Sequence, residues 1–349
     1  MVTPITIDRY ITIDDEGYFS FDGIKVEDEA YGRDLLSNIR VLERNRLVTS
    51  LKGQNSWVEA FDAPFMAKHV AFKDGKTAII VLPYNTKAEF TFNNLSVDEW
   101  DRFHGVTTKG IPFVFTRQGQ VEFFELLDSF DDDSITVKGQ QYPTEPWIKA
   151  NPEVTQDGFW TNIYKNEEPG WEMHGVNPAL PEILPQLKLS RAKILVLGCG
   201  SGHDAAFLAE AGHVVTAVDF SQEAINRATE LYGKLENLSL VKADAFKLPD
   251  NWTARFDLIL EHTCYCAISP DRRNDLVKVW RRVLTPQGRL LGIFFVTDKR
   301  DGPAFGGSEW EVRERLRKNF SFMYWTRWRR SVENRKGLEL VVFAQKTSS

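Results

Sequence analysis

The sequence predicts a doubly wound parallel α/β sheet from about residue 159 to the end of a 349-residue chain, preceded by a smaller β-rich module. Three observations predict it. A continuous apolar run, Ala192 to Leu197, enters a glycine-rich turn from which a helix leaves, as a strand buried on both faces should. Apolar strands and amphipathic helical stretches then alternate down the chain, which is the grammar of βα units. Two strand-like runs joined by a polar turn close the sequence, as an antiparallel hairpin at the end of seven strands. A chain of this length exceeds one ordinary hydrophobic core, so two domains are expected.

Residues 1–138 are expected to form the β-rich module. Their apolar runs are short and alternating ("YFSFDGIKV", "NSWVEAFDA", "TAIIVLPY", "AEFTFNN", "IPFVFTRQG"), with Gly, Asn and Asp between them at turn-like intervals. Three helices are predicted here: one in "EDEAYGRDLLSNIRVLE", a short one in "SVDEWDRF" with Ser96 as N-cap and Glu99 at the capping-box position, and one in "VEFFELLDSF". His69 and His104 stand apart from other ligating residues and read as structural or solvated. Residues 139–158 hold three prolines among polar residues without a period, and read as a linker.

In the 159–349 region the strands are "AKILVLG", "HVVTAVD", "LSLVKAD", "FDLILEH", "GRLLGIFFV", "FSFMYWTRWRR" and "LELVVFAQK". The helices between them are "HDAAFLAEAG", "SQEAINRATELYG" and "PDRRNDLVKVWRRVL". In the last, Leu276, Trp280 and Val283 share one face, Ser269 is the expected N-cap and Pro270 takes the first helical position.

Bulk properties exclude several function classes. The net charge is −6, from 43 basic and 49 acidic residues, so nucleic acid is not the expected partner. The basic stretch "RWRRSVENRK" reads as a solvated face. No run of 18 apolar residues suggests a membrane span. The first residues lack a basic stretch followed by an apolar one, so no leader is expected, and three cysteines fit a reducing compartment. The expected location is cytoplasmic.

The loop "ILVLGCGSGHD" carries the functional signal. Its glycines, Gly198, Gly200 and Gly202, are spaced G-x-G-x-G; a dinucleotide fingerprint would need glycine where His203 stands. A phosphate-free ligand such as S-adenosyl-L-methionine suits this tighter loop. Asp219 ends the next strand, placed to accept from both ribose hydroxyls, and Phe220 follows to pack on the adenine. Asp244 ends the third strand as a partner for the adenine amino group, with the Ala245 N–H for a ring nitrogen. Cys199 reads as a small packing residue. A glycine turn used for packing alone would not explain acids at both following strand ends.

The segments "FWTNIYKNEEPGWEMHGVNPALPEIL", "LVLGCGSGHD", "AVDFS", "FDLILEHTCYCAISPDRR" and "TDKRDGPAF" together resemble the thiopurine S-methyltransferase family, which includes plant thiol and halide methyltransferases. The resemblance runs from about residue 159 to the C-terminus. It implies a class I S-adenosylmethionine-dependent methyltransferase fold acting on sulfur, halide or selenium and tellurium nucleophiles, with a small-molecule acceptor. It also implies that Trp160, Tyr164 and Trp171 line the methionine end of the cofactor, where aromatic faces attract a sulfonium. Glu261 and His262 stand where many members have Asp-Arg or Asp-Tyr, with Glu261 on the cofactor side. "GPAF", with Pro303 and Phe305, stands for a substrate-side loop. Residues 5–130, with "ITIDDEGYFSFDGIKV" and "VEAFDAPFMA", resemble a bacterial family of unknown function, which implies no activity.

"EHTCYCAISP" then has two readings. A zinc or redox site would use Cys264 and Cys266, but C-x-C in an extended segment puts the thiols on opposite faces and only Cys199 remains as a third, so no metal is expected. The alternative makes it the exit of the fourth strand, with Tyr265 walling the acceptor pocket and His262 touching the acceptor. His262 or Asp204 is the candidate base for a thiol of raised pKa. Two other readings remain open: methyl transfer to a carboxyl, amine or other acceptor, and a cofactor-binding scaffold without catalysis.

Overall fold

The computed structural model describes residues 9–166 and 169–347; residues 1–8, part of the stretch on which the leader expectation rests, lie outside the described residues. The chain divides into two compact units. The first comprises residues 1–149 with 297–300 and 308–311, and the second residues 150–296, 301–307 and 312–349.

The first unit is β-rich. One sheet runs in spatial order from Ile24–Lys25 through Phe19–Phe21, Tyr10–Ile13, Gln54–Ala60 and Leu47–Leu51 to Arg40–Val41. A second runs Phe65–Ala67, Pro112–Phe115, Phe103–Thr107, Lys87–Val97, Thr77–Val81, His69–Phe72. Their alternating inward residues meet in one core, where Phe90 packs against Phe92, Phe113, Phe115 and Phe123. The helix Glu29–Ser37 starts at Asp28, whose carboxylate accepts the Tyr31 N–H, and Arg117–Glu125 starts at Thr116, which accepts the Gly119 N–H.

The short helix expected at Ser96 does not form. Ser96 and Val97 pair with His104 and Phe103 as the end of a strand, and Asp98 closes the hairpin by accepting the N–H groups of Trp100 and Arg102. Strand pairing satisfies the backbone that the capping box would have served. The proline-rich stretch is likewise more ordered than a linker: Gln140–Pro143 is the third strand of a small sheet with Ser129–Phe130 and Ser134–Val137, and Glu145–Pro146 pairs with Lys87–Val97. His104 is buried, bound to Asp98 at 2.8 Å and stacked on Trp147. Its partner Asp98 is pushed up by burial but held low overall by the His104 hydrogen bond and the Arg102 charge.

The second unit is the α/β sheet the sequence predicts. Its strands are β1 (Lys193–Leu197), β2 (Val214–Asp219), β3 (Leu238–Lys242), β4 (Phe256–His262), β5 (Leu284–Phe295), β6 (Phe320–Trp328) and β7 (Glu339–Lys346). They lie in the order β3-β2-β1-β4-β5-β7-β6. The first five are parallel; β7 pairs antiparallel with both β5 and β6. The order reverses between β1 and β4, which opens the crevice at their carboxyl ends where such sheets bind ligands.

The helices around the site are α1 (Asp157–Asn166), α2 (Ala179–Ile183), α3 (His203–Glu210), α4 (Gln222–Tyr232) and α5 (Arg273–Val283), and a further helix spans Glu309–Leu316. Alternate strand residues face two cores. Leu195, Ile259, Leu290, Phe294 and Val342 pack with Leu276, Val277, Trp280 and Val283 of α5. Ile194, Val215, Leu258, Ile293 and Val341 pack with Ala205, Leu208 and Ala209 of α3 and Ala179 to Leu184 around α2. The predicted stripe Leu276, Trp280, Val283 is wholly buried. Ser269 does not cap α5; its hydroxyl donates to Asp271, and a single 3-10 turn over Pro270–Arg272 leads in.

Candidate functional site

The glycine loop joins β1 to α3 at the switch point. Gly198, Gly200 and Gly202 all have positive φ, at 62°, 53° and 85°. Gly198 also has no room for a side chain, because a Cβ there would stand 2.9 Å from both Cβ and Sγ of Cys264. The loop is therefore held tight against the exit of β4. It is closed from the other side by Asp219, whose Oδ2 accepts the Gly200 N–H at 2.9 Å while Oδ1 accepts the Ser221 N–H at 2.9 Å. Burial pushes the Asp219 carboxyl upward, and the backbone N–H groups of Ser221, Gly200 and Phe220 pull against it. A carboxylate has about four acceptor sites, so it can still accept from a ligand's hydroxyl.

Ser221 caps α4, and Phe220 beside it is half-buried. Asp244 lies at the carboxyl end of β3. Its Oδ1 accepts the Phe246 N–H at 2.8 Å, fixing the turn that presents Ala245. These positions put two carboxylates and three glycines at the ends of β1, β2 and β3, a cradle that fits a nucleoside with a cis-diol.

The aromatic residues before β1 form one group. Trp160 and Tyr164 lie on α1, and Trp171 follows it; the Trp160–Trp171 and Tyr164–Trp171 ring centroids are 5.7 and 6.0 Å apart. Trp160 donates its indole N–H to the Val154 carbonyl at 2.8 Å, and Trp171 donates to the Tyr164 hydroxyl at 3.2 Å. The Tyr164 hydroxyl stands 3.0 Å from where a Gly200 Cβ would lie, so α1 is seated on the glycine loop. Burial raises the Tyr164 phenol far above its ordinary range. Asp157 on the first turn of α1 pairs with Lys242 at 3.0 Å, at the end of β3.

A polar network that sequence reasoning missed holds this arrangement. Glu172, next to Trp171, accepts from the Ser201 hydroxyl at 2.5 Å and lies 3.2 Å from His203 Nε2. Although burial opposes it, the His203 and Ser201 hydrogen bonds hold its carboxyl down at about 2. On the other side of the loop, Asp204 accepts from the Asn177 N–H at 2.8 Å and pairs with His262 Nδ1 at 2.5 Å. His262 Nε2 lies 3.0 Å from Asn177 Nδ2 and 2.8 Å from Arg335 Nη1. Arg335 also donates to the Trp171 carbonyl at 2.8 Å, and Glu339 accepts from Asn177 at 3.0 Å. Burial pushes the Asp204 carboxyl up, but the His262 contacts bring it below its ordinary range.

This geometry corrects four expectations. His262 is not available as a base. Two donors converge on Nε2, so that nitrogen is the acceptor, the proton sits on Nδ1, and the lone pair a base would use is taken. Asp204 is also engaged, one oxygen by the Asn177 N–H and the other by His262 Nδ1. Tyr265 does not wall an open pocket; it is 3% exposed, with its ring against Phe294 and Trp280 and under the Arg273 guanidinium. The basic stretch before β7 is not a wholly solvated face either, since Arg335 is 5% exposed.

The segment Tyr265–Ala267 is a 3-10 turn rather than extended, so the opposite-faces argument for Cys264 and Cys266 does not apply. All three cysteines are free thiols. Burial raises the Cys264 thiol well above its ordinary range and the Cys266 thiol to about 12, so both are inert packing groups. Cys266 also anchors the "GPAF" loop through its backbone, because its carbonyl accepts the N–H of the buried Phe305 at 2.7 Å. Among the described residues no group of three or more His, Cys, Asp or Glu is arranged to hold a metal ion, and no helix is long and apolar enough to cross a membrane.

Glu261 is 1% exposed at the carboxyl end of β4. Its Oε1 accepts the Tyr265 N–H at 2.8 Å, and its Oε2 is buried without a hydrogen-bond partner. Burial pushes this carboxyl up to about 7.

The chain is similar to known methyltransferases. A family model described as thiopurine S-methyltransferase (TPMT) matches residues 155–347. The chain is 30% identical over 167 residues to thiocyanate methyltransferase 1 of Brassica oleracea, covering 47% of this chain and 73% of that protein. It is 27% identical over 183 residues to a thiopurine S-methyltransferase of Shewanella oneidensis, covering 47% and 84%. Among solved structures it is similar to the 1,6-didemethyltoxoflavin-N1-methyltransferase of Burkholderia thailandensis, solved with S-adenosylhomocysteine, at 25% identity and a TM-score of 0.46 over 64% of this chain and 99% of that one.

Proposed function

Because the chain belongs to the thiopurine S-methyltransferase family and is an S-adenosylmethionine-dependent methyltransferase, we propose that its acceptors are small soft sulfur nucleophiles, thiols and thiocyanate among them. The observation that carries the site assignment is the glycine loop closed between Cys264 and Asp219, with carboxylates at the ends of β2, β3 and β4.

S-adenosylmethionine supplies, when bound, a methyl group already activated on a positively charged sulfur. The chain's part is to bind, align and exclude water. Gly198, Gly200 and Gly202 allow close backbone approach. Asp219 holds the ribose hydroxyls, with Phe220 beside the adenine, and Asp244 and Ala245 hold its edge. Trp160 and Trp171, both half-buried, present aromatic faces to the sulfonium, worth about 0.5–2 kcal/mol for each good cation–π contact, while Tyr164, expected beside them, is 3% exposed and instead seats α1 on the glycine loop. Glu261 and the docked Phe305 loop flank the acceptor side.

Incubation with labelled S-adenosylmethionine and a panel of thiols, thiopurines, thiocyanate, iodide, selenite and tellurite tests this reading. Transfer to sulfur is expected, and transfer to nitrogen or oxygen acceptors alone would overturn it. His262 is a positioning residue here, joining α3, β4 and the Trp171 segment. His262→Gln is expected to lower kcat/KM by about tenfold, or about 1.4 kcal/mol, equally for a thiol and for thiocyanate. A loss confined to the thiol would restore His262 as a base.

A further inference from the structure

A thiol must lose a proton before or during methyl transfer, whereas thiocyanate and iodide have none to lose. On the reading of function above, the site needs a proton acceptor for thiols, and the geometry points to Glu261 as the catalytic residue that takes that proton.

The neighbouring candidates are engaged. His262 is bonded at both ring nitrogens. Asp204 is held by Asn177 and His262, and Glu172 by Ser201, His203 and backbone N–H groups. Asp219 accepts from the loop it closes. Among the described residues, the buried carboxylate oxygens without a partner are Oε2 of Glu261 and Oε2 of Glu339. Those two project from opposite faces of the sheet. Glu339 alternates with Val341 and Phe343 toward the α3 side, while Glu261 alternates with Ile259 toward the α5 side. Only Glu261 lies beside the turn that contacts both Gly198, through Cys264, and the Phe305 loop, through Cys266.

An orphaned carboxylate oxygen in a dry site is costly unless a ligand completes it. A thiol S–H is a donor that would do so. The charged and titratable side chains facing Glu261 are His262 on its own strand, Arg273 of α5, and the thiols of Cys264 and Cys266. Burial lifts the carboxyl to about 7, close to the range of a free thiol at about 8.5, so proton transfer between them is nearly balanced.

During transfer the thiol proton moves to Glu261 Oε2. The sulfur lone pair forms the new S–C bond as the C–S bond to the sulfonium breaks, its electron pair staying on the neutral thioether. Glu261 returns the proton to solvent when product leaves. With thiocyanate or iodide the same displacement runs without Glu261.

Glu261→Gln tests this, because the amide keeps the shape and cannot take a proton. At pH 7, the loss in kcat/KM is expected to be about 30-fold or more greater for a small thiol than for thiocyanate, with the thiol activity recovering as pH rises above the thiol's own pKa. Equal losses on both acceptors, or none on either, would overturn the proposal. If Glu261→Gln fails to fold, Glu261→Asp is read for the same thiol-selective loss. Independently of any acceptor, carbon-13 NMR of labelled glutamate should show one carboxyl titrating near pH 7 in the native protein; its absence defeats the proposal even if methyl transfer to sulfur stands. Native transfer to nitrogen or oxygen acceptors alone overturns the function, and this role with it.

Discussion

Gly198→Ala is expected to weaken S-adenosylmethionine binding by at least about 100-fold, or about 2.7 kcal/mol. Two costs combine. Gly198 has φ of 62°, and an L-residue held there pays about 1–2 kcal/mol. The new methyl would also stand 2.9 Å from Cβ and Sγ of Cys264, and Cys264 is fixed by its own turn and by burial. Overpacking of this kind costs about 1–3 kcal/mol where neither side can retreat. The loop escapes by moving away from β4, which pulls Gly200 from Asp219 and opens the cradle. Gly212→Ala is the control. Gly212 has φ of 93° but nothing within 4 Å of its would-be Cβ, so it carries the backbone strain without the clash. Calorimetry should find cofactor affinity lost in the first variant and kept in the second. Equal affinity in the two would mean that the contact with Cys264 does not shape the loop.

The α/β half was legible because its signals are local. A strand buried on both faces must be a continuous apolar run, and β1, β4 and β7 read that way. The glycine spacing and the acids at strand ends each lie within a few residues of what they organise. In the first unit, Ser96 shows the limit of a cap signal: the same residues suit a strand end, and long-range pairing with His104 decides. The prolines near residue 146 were compatible with strands because a short edge strand tolerates a missing donor.

The site network was illegible for a different reason. Asn177 and Glu339 are 162 residues apart, as are Trp171 and Arg335 by 164, and no spacing rule connects such positions. The one available signal was Glu339 itself, a carboxylate opening a strand buried along most of its length. Such a charge demands a partner, and the nearest basic residue upstream in a polar turn was Arg335 or Lys336. Knowing which of the two turned inward required the fold.

Arg335→Met is expected to be the most destabilising of the conservative-volume changes in the second unit, by about 3–5 kcal/mol. Arg335 and Glu339 are 5% and 1% exposed, and Glu339 already has one oxygen without a partner. Removing the guanidinium leaves a buried carboxylate with Asn177 as its remaining hydrogen bond, and strips a donor from His262 and from the Trp171 carbonyl at once. Arg335→Lys keeps the charge, but one ammonium cannot match a planar fork reaching Trp171 on one nitrogen and His262 with Glu339 on another, so it should fall between native and Met. The double change Arg335→Met with Glu339→Leu should recover part of the loss, since an apolar pair replaces both charges. Urea unfolding measures the stability. Hydrogen exchange of residues 169–178 measures the consequence that links it to function, because the Trp171 segment loses its tie to β4 and should exchange faster even where the sheet stays protected. A loss under about 1 kcal/mol with unchanged exchange in that segment would show that Arg335 is a bystander, and that Glu172 alone, through Ser201 and His203, holds the aromatic residues over the loop.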